Sequence, residues 1–414
     1  MTDSKSTHDL RLPESTVLHA ALRKITERLA AEIHRPSDAP PAWSELEWQL
    51  ARAVCAIHGV SALFADLTSW KGPPGWQRFL LEQRVQTERR HVKVQELLRQ
   101  LDATLRAADT PAVALKGAEL HALGLYRPGE RPMADVDLLA RPADRQRVTA
   151  ALHSLGFAQI MASSRHLVFQ LGERMTPGIL GEHAGSALKI ELHERIAETL
   201  AVRLEDITGV VLPAQLHAGL NRYASKAALL IHLLLHAAGS MQSRALRMIQ
   251  LNDIARLARS MSDEDWDLVL TIAADGRRFW WAAAPLILAS RYIDQLIPAR
   301  ILSQLRSTCP KLLERFARRC SLSECSFSHL WIDAFPGLEW SRSVGEAVRL
   351  MMRRVWPDQE LLQLRQVVAR TQLAAAHSEW DRMSQGRRVV HWIVARRTRT
   401  ETLYNVRAAL AQAT

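Results

Sequence analysis

The run Met133-Ala134-Asp135-Val136-Asp137-Leu138-Leu139 constrains this chain more than any other, because its acidic and aliphatic residues alternate. In an extended strand, successive side chains leave opposite faces, so Asp135 and Asp137 share one face and Val136 and Leu138 the other. The aliphatic face can enter a core. The acidic face calls for a cation, since two carboxylates a few ångströms apart resist joint ionisation. Mg2+ meets that need, because it favours carboxylate oxygens together with nucleotide phosphates. An Asp-x-Asp triplet also suits solvated turns and strand ends, so its surroundings decide its meaning.

Those surroundings contain a strand-to-helix turn and a third carboxylate. Ala112-Val113-Ala114-Leu115 is a short apolar run stopped by Lys116-Gly117, after which Ala118 to Tyr126 returns to helical spacing. A glycine at such a turn lets backbone approach a triphosphate, and Lys116 can add a point charge to it. Farther on, Lys189-Ile190-Glu191-Leu192-His193 alternates cleanly and places Glu191 and His193 on one strand face. With Glu191 as third ligand, two metal ions about 3.5 to 4 Å apart would activate an attacking oxygen and neutralise phosphate charge during in-line displacement. Either Glu191 or His193 would then bind metal while the other contacts substrate or acts as a base.

A chain of 414 residues exceeds what one hydrophobic core usually serves, so two or three structural units are expected. Its 48% hydrophobic and 23% charged residues describe a globular protein rather than a disordered one. Residues 1–40 are polar, end in Pro36-Ser37-Asp38-Ala39-Pro40-Pro41, and read as a poorly ordered lead-in. Residues 41–108 read as an N-terminal helical segment, with helical spacing from Trp43 to Leu67 and from Trp76 to Ala108. Residues 109–215 form the α/β core, with strands at 112–115, 135–140, 167–171 and 187–193. Residues 216–300 form a helical substrate-side domain and 301–414 a basic helical region. The expected fold class is α+β, predominantly helical, with a small mixed sheet set between helical regions.

The N terminus lacks the basic end, apolar stretch and cleavage site of a secretory signal, and the longest apolar run, Phe279 to Ala289, contains Pro285. It falls short of the roughly 20 residues that span a bilayer, so a cytoplasmic location and no membrane partner are expected. Cys55, Cys309, Cys320 and Cys325 lack zinc-type spacing and read as buried thiols. The net charge of +11 is uneven: residues 301–414 hold 18 Lys and Arg against 10 Asp and Glu. That balance suits an acidic partner such as a nucleotide, a nucleic acid or an acidic protein, and it equally suits plain Arg-rich helices.

Taken together, these residues resemble the uncharacterised nucleotidyltransferases of the DNA polymerase β-like superfamily. The matching pieces are Ala114-Leu115-Lys116-Gly117-Ala118-Glu119-Leu120, Arg131-Pro132-Met133-Ala134-Asp135-Val136-Asp137-Leu138-Leu139, Leu155-Gly156-Phe157, Ile190-Glu191-Leu192-His193, His232 with His236, and Asp253. The resemblance runs over roughly residues 80–300, with a weaker echo at Val355-Trp356-Pro357. It implies a polymerase β-like core, NTP as substrate and two Mg2+ ions held by Asp135, Asp137 and Glu191. It further implies Gly117 as the glycine of the phosphate turn, with Lys116, Ala118, Arg131 and His193 around the nucleotide. The group resembles accessories of biosynthetic gene clusters, which implies a small-molecule or peptide acceptor. The departure is Ala118, where the wider superfamily commonly has a small polar residue such as serine.

Two alternatives stay open on the residues: a binding or scaffold protein that keeps the fold without turnover, suggested by Ala118, and an RNA-directed nucleotidyltransferase, suggested by the basic C-terminal quarter. His232 and His236 lie at i and i+4 without a third ligand and read as core histidines. Asp253 either orients substrate or bonds a neighbouring helix. The Trp280-Trp281 pair reads as packing.

Overall fold

The computed structural model describes residues 11–163, 166–172, 179–274, 279–359, 362 and 379–412. The alternation at Asp135 to Leu139 builds β2 (Val136–Leu139), one of six strands in a mixed sheet with β1 (Pro111–Ala114), β3 (Ala158–Ala162), β4 (His166–Leu171), β5 (Leu188–His193) and β8 (Gly219–Asn221). A separate hairpin of β6 (Ala197–Leu200) and β7 (Arg203–Asp206) precedes β8. The sheet order is β3-β4-β5-β2-β1-β8. β2 pairs parallel with β5 and antiparallel with β1, β4 is antiparallel to both β3 and β5, and β8 is parallel to β1. The class is α+β with most of the chain helical.

Ten helices surround or precede the parts that matter for the site: α1 (Ser15–Glu32), α2 (Glu45–His58), α3 (Ser61–Leu67), α4 (Pro74–Ala107), α5 (Gly117–Ala122), α6 (Arg145–Ser154), α7 (Thr208–Val211), α8 (Lys226–Gln242), α9 (Met248–Arg259) and α10 (Asp263–Ala274). The long α4 and α6 cover one sheet face. Val94, Leu97, Leu101 and Leu105 of α4 join Val148 and Leu152 of α6 against Val136, Leu138, Ile190 and Leu192 in one buried cluster. The period of two then sends Asp137, Glu191 and His193 to the other face. On that side Val113 and Leu139 belong to a larger core that runs through α1, α2, α8, α9 and the C-terminal helices.

The structure departs from expectation at two places in the N-terminal region. The lead-in expected over residues 1–40 is helical from Ser15, because Leu18, Leu22, Ile25 and Leu29, spaced by four, three and four, make an apolar face that is wholly buried. Residues 1–10 of that segment lie outside the described residues. The single periodic stretch Trp43 to Leu67 is two helices, since Gly59 closes α2 in the left-handed conformation at φ +68°. All four cysteines are free and buried. Among the described residues no single helix is long and apolar enough to cross a membrane.

Candidate functional site

Asp137 and Glu191 are register partners on the parallel strands β2 and β5, and Leu139 pairs with His193 two residues on. His193 lies between the two acids: its Nε2 is 3.1 Å from Asp137 Oδ1 and 3.7 Å from Glu191 Oε2. The Lys116 ammonium reaches the same Asp137 oxygen at 2.9 Å. Asp137 is only 6% exposed, so this oxygen is held by two donors in a nearly dry setting.

Lys116 comes to Asp137 through an unusual backbone. It adopts φ +43°, ψ −108°, a region that L residues rarely enter and that costs on the order of 1–3 kcal/mol. Its neighbours hold it there. The Leu115 N–H donates to the Asp137 carbonyl at 2.9 Å, which ties β1 to β2, and the Lys116 N–H donates to the Tyr223 hydroxyl at 3.0 Å. Tyr223 in turn lies 2.7 Å from His232 Nδ1 on α8. His232 is thus a buried, hydrogen-bonded core histidine that braces the turn through one intervening tyrosine.

Asp135 sits just ahead of β2, and the segment carrying it is fixed by Arg90 of α4. The buried Arg90 guanidinium donates to the carbonyls of Met133 and Ala134 on one side and of Ser186 and Ala187, at 3.2 and 3.1 Å, on the other. One side chain therefore sets the approach of both acid-bearing strands. Nothing in the local sequence around Arg90 announces this, because its partners lie more than 40 residues away.

Burial and mutual charge split the acids. Burial alone would push the Asp137 carboxyl up, but the Lys116 ammonium and the His193 hydrogen bond hold it well below the usual carboxylate range. An ionised carboxylate only accepts, so His193 Nε2 carries the proton in that bond. Asp135 is pushed up by burial and then by the Asp137 charge. Glu191 is pushed up to about 7 by burial and then by the charges of Asp135 and Asp137. Burial works against the Lys116 ammonium, yet Asp137, Asp135 and Glu191 raise it. Burial and then the Lys116 charge keep His232 and His236 well below the ordinary histidine value, hence neutral.

Arg131 packs against Gly117 beside the turn. Arg131, expected beside the nucleotide, donates through Nε and Nη2, each at 2.8 Å, to the two oxygens of Asp253 on α9, a bidentate pair. Asp253 also accepts from the Tyr126 hydroxyl at 2.7 Å, so its role is to bond the Arg131 segment rather than a neighbouring helix. A Cβ at Gly117 would collide with the Arg131 guanidinium, so this glycine makes room for the clamp. Ala118 is buried in the first turn of α5.

His166, at the start of β4, borders this neighbourhood. It is the antiparallel register partner of His193, and its Nε2 lies 3.8 Å from Glu191 Oε2. The apolar run Leu167 to Leu171 marks β4 in sequence but hides the histidine one residue upstream. Sequence reasoning passed over Arg90 and Tyr223, which support the site, and His166, which borders it.

The family model described as uncharacterised nucleotidyltransferase matches residues 44–309, more than half of the chain. The chain belongs to this nucleotidyltransferase family. No curated protein and no solved structure matches it. In this nucleotidyltransferase the matched span takes in all six strands of the sheet, α2 through α10, and each of Lys116, Gly117, Ala118, Arg131, Asp135, Asp137, Glu191 and His193. It leaves α1 and the residues beyond 309 outside. Family membership makes the chain a transferase that uses a nucleoside triphosphate.

Proposed function

We propose that this nucleotidyltransferase moves an NMP group from an NTP to a hydroxyl or phosphate of a small-molecule or peptide acceptor, releasing pyrophosphate. The observation that supports the reading is the pairing of Asp137 with Glu191 across β2 and β5 beside the Lys116 turn, with Asp135 just ahead of β2 and near enough for its charge to act on both. The polymerase β-like character of the core belongs to the same reading, supported by an acidic pair at β2 and a third acid on the adjacent parallel strand.

The donor set fits magnesium. Burial, and then the charges of the neighbouring acids, raise two of the three carboxylates, and all offer the hard oxygens that Mg2+ prefers. When bound, two Mg2+ ions held by Asp135, Asp137 and Glu191 would neutralise phosphate charge and activate the acceptor oxygen. The protein's own groups do the rest. Asp137 is already ionised and has no proton to lose. Glu191, poised near neutrality, gives up its proton as a cation arrives. Lys116 leaves Asp137 for the triphosphate, and His193 keeps Asp137 oriented through Nε2–H. Because Ala118 brings no hydroxyl to the turn, Lys116 is the side chain that answers to the phosphates there. A cytoplasmic setting, where NTP and Mg2+ are supplied, belongs to this proposal.

An α-labelled NTP screen against candidate acceptors tests the reading, with Asp137→Asn as control. Label transfer by the wild type and its loss in the folded variant are expected. Undiminished labelling in the variant removes the site from the reaction. Calorimetry that detects neither NTP nor Mg2+ binding identifies a scaffold instead, and label appearing in RNA with steep salt dependence makes nucleic acid the acceptor.

A further inference from the structure

The geometry points to a second cation site at His166, Glu191 and His193, built for a borderline divalent ion of the zinc, cobalt or nickel type rather than for magnesium. Each of these three side chains offers one ligand atom, and the three atoms lie within 4.8 Å of one another. Two of the separations are 3.8 Å, from His166 Nε2 to Glu191 Oε2, and 3.7 Å, from His193 Nε2 to the same oxygen. Ligands at bond lengths near 2.1 Å around a tetrahedral ion stand about 3.4 Å apart, so small side-chain rotations close the set.

The set is placed by the sheet. His166 and His193 are direct partners across β4 and β5, their ring centroids 5.1 Å apart, and Glu191 precedes His193 by one strand period. Two imidazoles and one carboxylate are the ligands that borderline ions take with positions left open, whereas magnesium favours oxygen donors. An ion at His193 Nε2 displaces to solvent the proton that this nitrogen donates to Asp137 Oδ1 in the metal-free protein, and leaves that oxygen, 3.1 Å away, within reach as a fourth ligand. An ion here ties Glu191 and His193 to β4 and takes Glu191 from the carboxylate trio. The site therefore rests partly on the proposed transfer centre, and His166 is the member that belongs to it alone.

The test uses full-length protein stripped of metal with chelator and titrated with Co2+ in the absence of Mg2+, read by the visible absorption of bound cobalt. The wild type should develop the band at one equivalent, and His166→Ala should weaken binding by about tenfold or more. The same variant should retain Mg2+-dependent labelling from α-labelled NTP, which also reports that it is folded. Absence of the band, or an equal affinity in His166→Ala, overturns the site, since cobalt bound at unrelated histidines or at the carboxylates alone survives that change. A His166-dependent band with no nucleotidyl transfer leaves the metal site standing and removes the transfer reading instead.

Discussion

Asp137 and Glu191 face each other across β2 and β5, yet they titrate in opposite directions. Glu191 carries a pH dependence that metal-free protein should display. Its folded value is about 7 and its ordinary value 4.5, so between those limits the folded state binds more protons than the unfolded state. Stability contributed through this group is greatest at the acid end and falls as pH rises through the window. Glu191→Gln should flatten that decline, as measured by urea unfolding at pH 5.5 and pH 8; equal slopes in both proteins count against the assignment.

Lys116→Met should destabilise metal-free protein by about 3 kcal/mol, because it removes one partner of a largely buried ion pair and leaves Asp137 with His193 alone. Mg2+ should then stabilise the variant more than the wild type, since a divalent ion supplies the missing positive charge. Thermal melts with and without Mg2+ check this. Identical metal-induced shifts would mean that the ammonium and the metal do not share a location.

Gly117→Ala should cost about 1–3 kcal/mol, because the new methyl meets a guanidinium that Asp253 holds by two hydrogen bonds and that cannot swing aside freely. The same change in an Arg131→Ala background should cost less. A double-mutant cycle by urea denaturation measures the difference, and additive costs would show that Arg131 is not what excludes a side chain there.

Arg90→Met should lower stability by about 2–4 kcal/mol by leaving four carbonyls without their charged donor. At a temperature where the variant is fully folded, the Mg2+ concentration needed for half-maximal transfer should rise several-fold, because Asp135 and the entry to β5 lose their common anchor. Arg90→Lys should recover little, as one ammonium cannot span both segments. An unchanged Mg2+ requirement would confine Arg90 to a purely structural role.

What the sequence disclosed followed from local periodicity. The strands bearing Asp137 and Glu191 alternate over enough residues to be read directly, and the helix Asp263–Ala274 falls where its spacing places it. The edge strand β3 was unreadable because its residues are almost all exposed and carry no alternation. β8 is three residues long and is recruited by β1, a partner more than 100 residues away. The apolar face of α1 was present in the spacing but masked by the polar residues around it. Arg131 with Asp253, Lys116 with Tyr223, and Arg90 with the two strand entries are long-range pairings that no window along the chain contains.

Strand β5 interleaves two duties, with Ile190 and Leu192 in the core beneath α4 while Glu191 and His193 point the opposite way. A single inserted or deleted residue within Leu188–His193 would exchange these roles, burying both ionisable groups in hydrocarbon and stranding two aliphatics among the acids. Length variation around this strand is consequently tolerable only in the connections that flank it, and a frame error inside it would abolish folding and chemistry together.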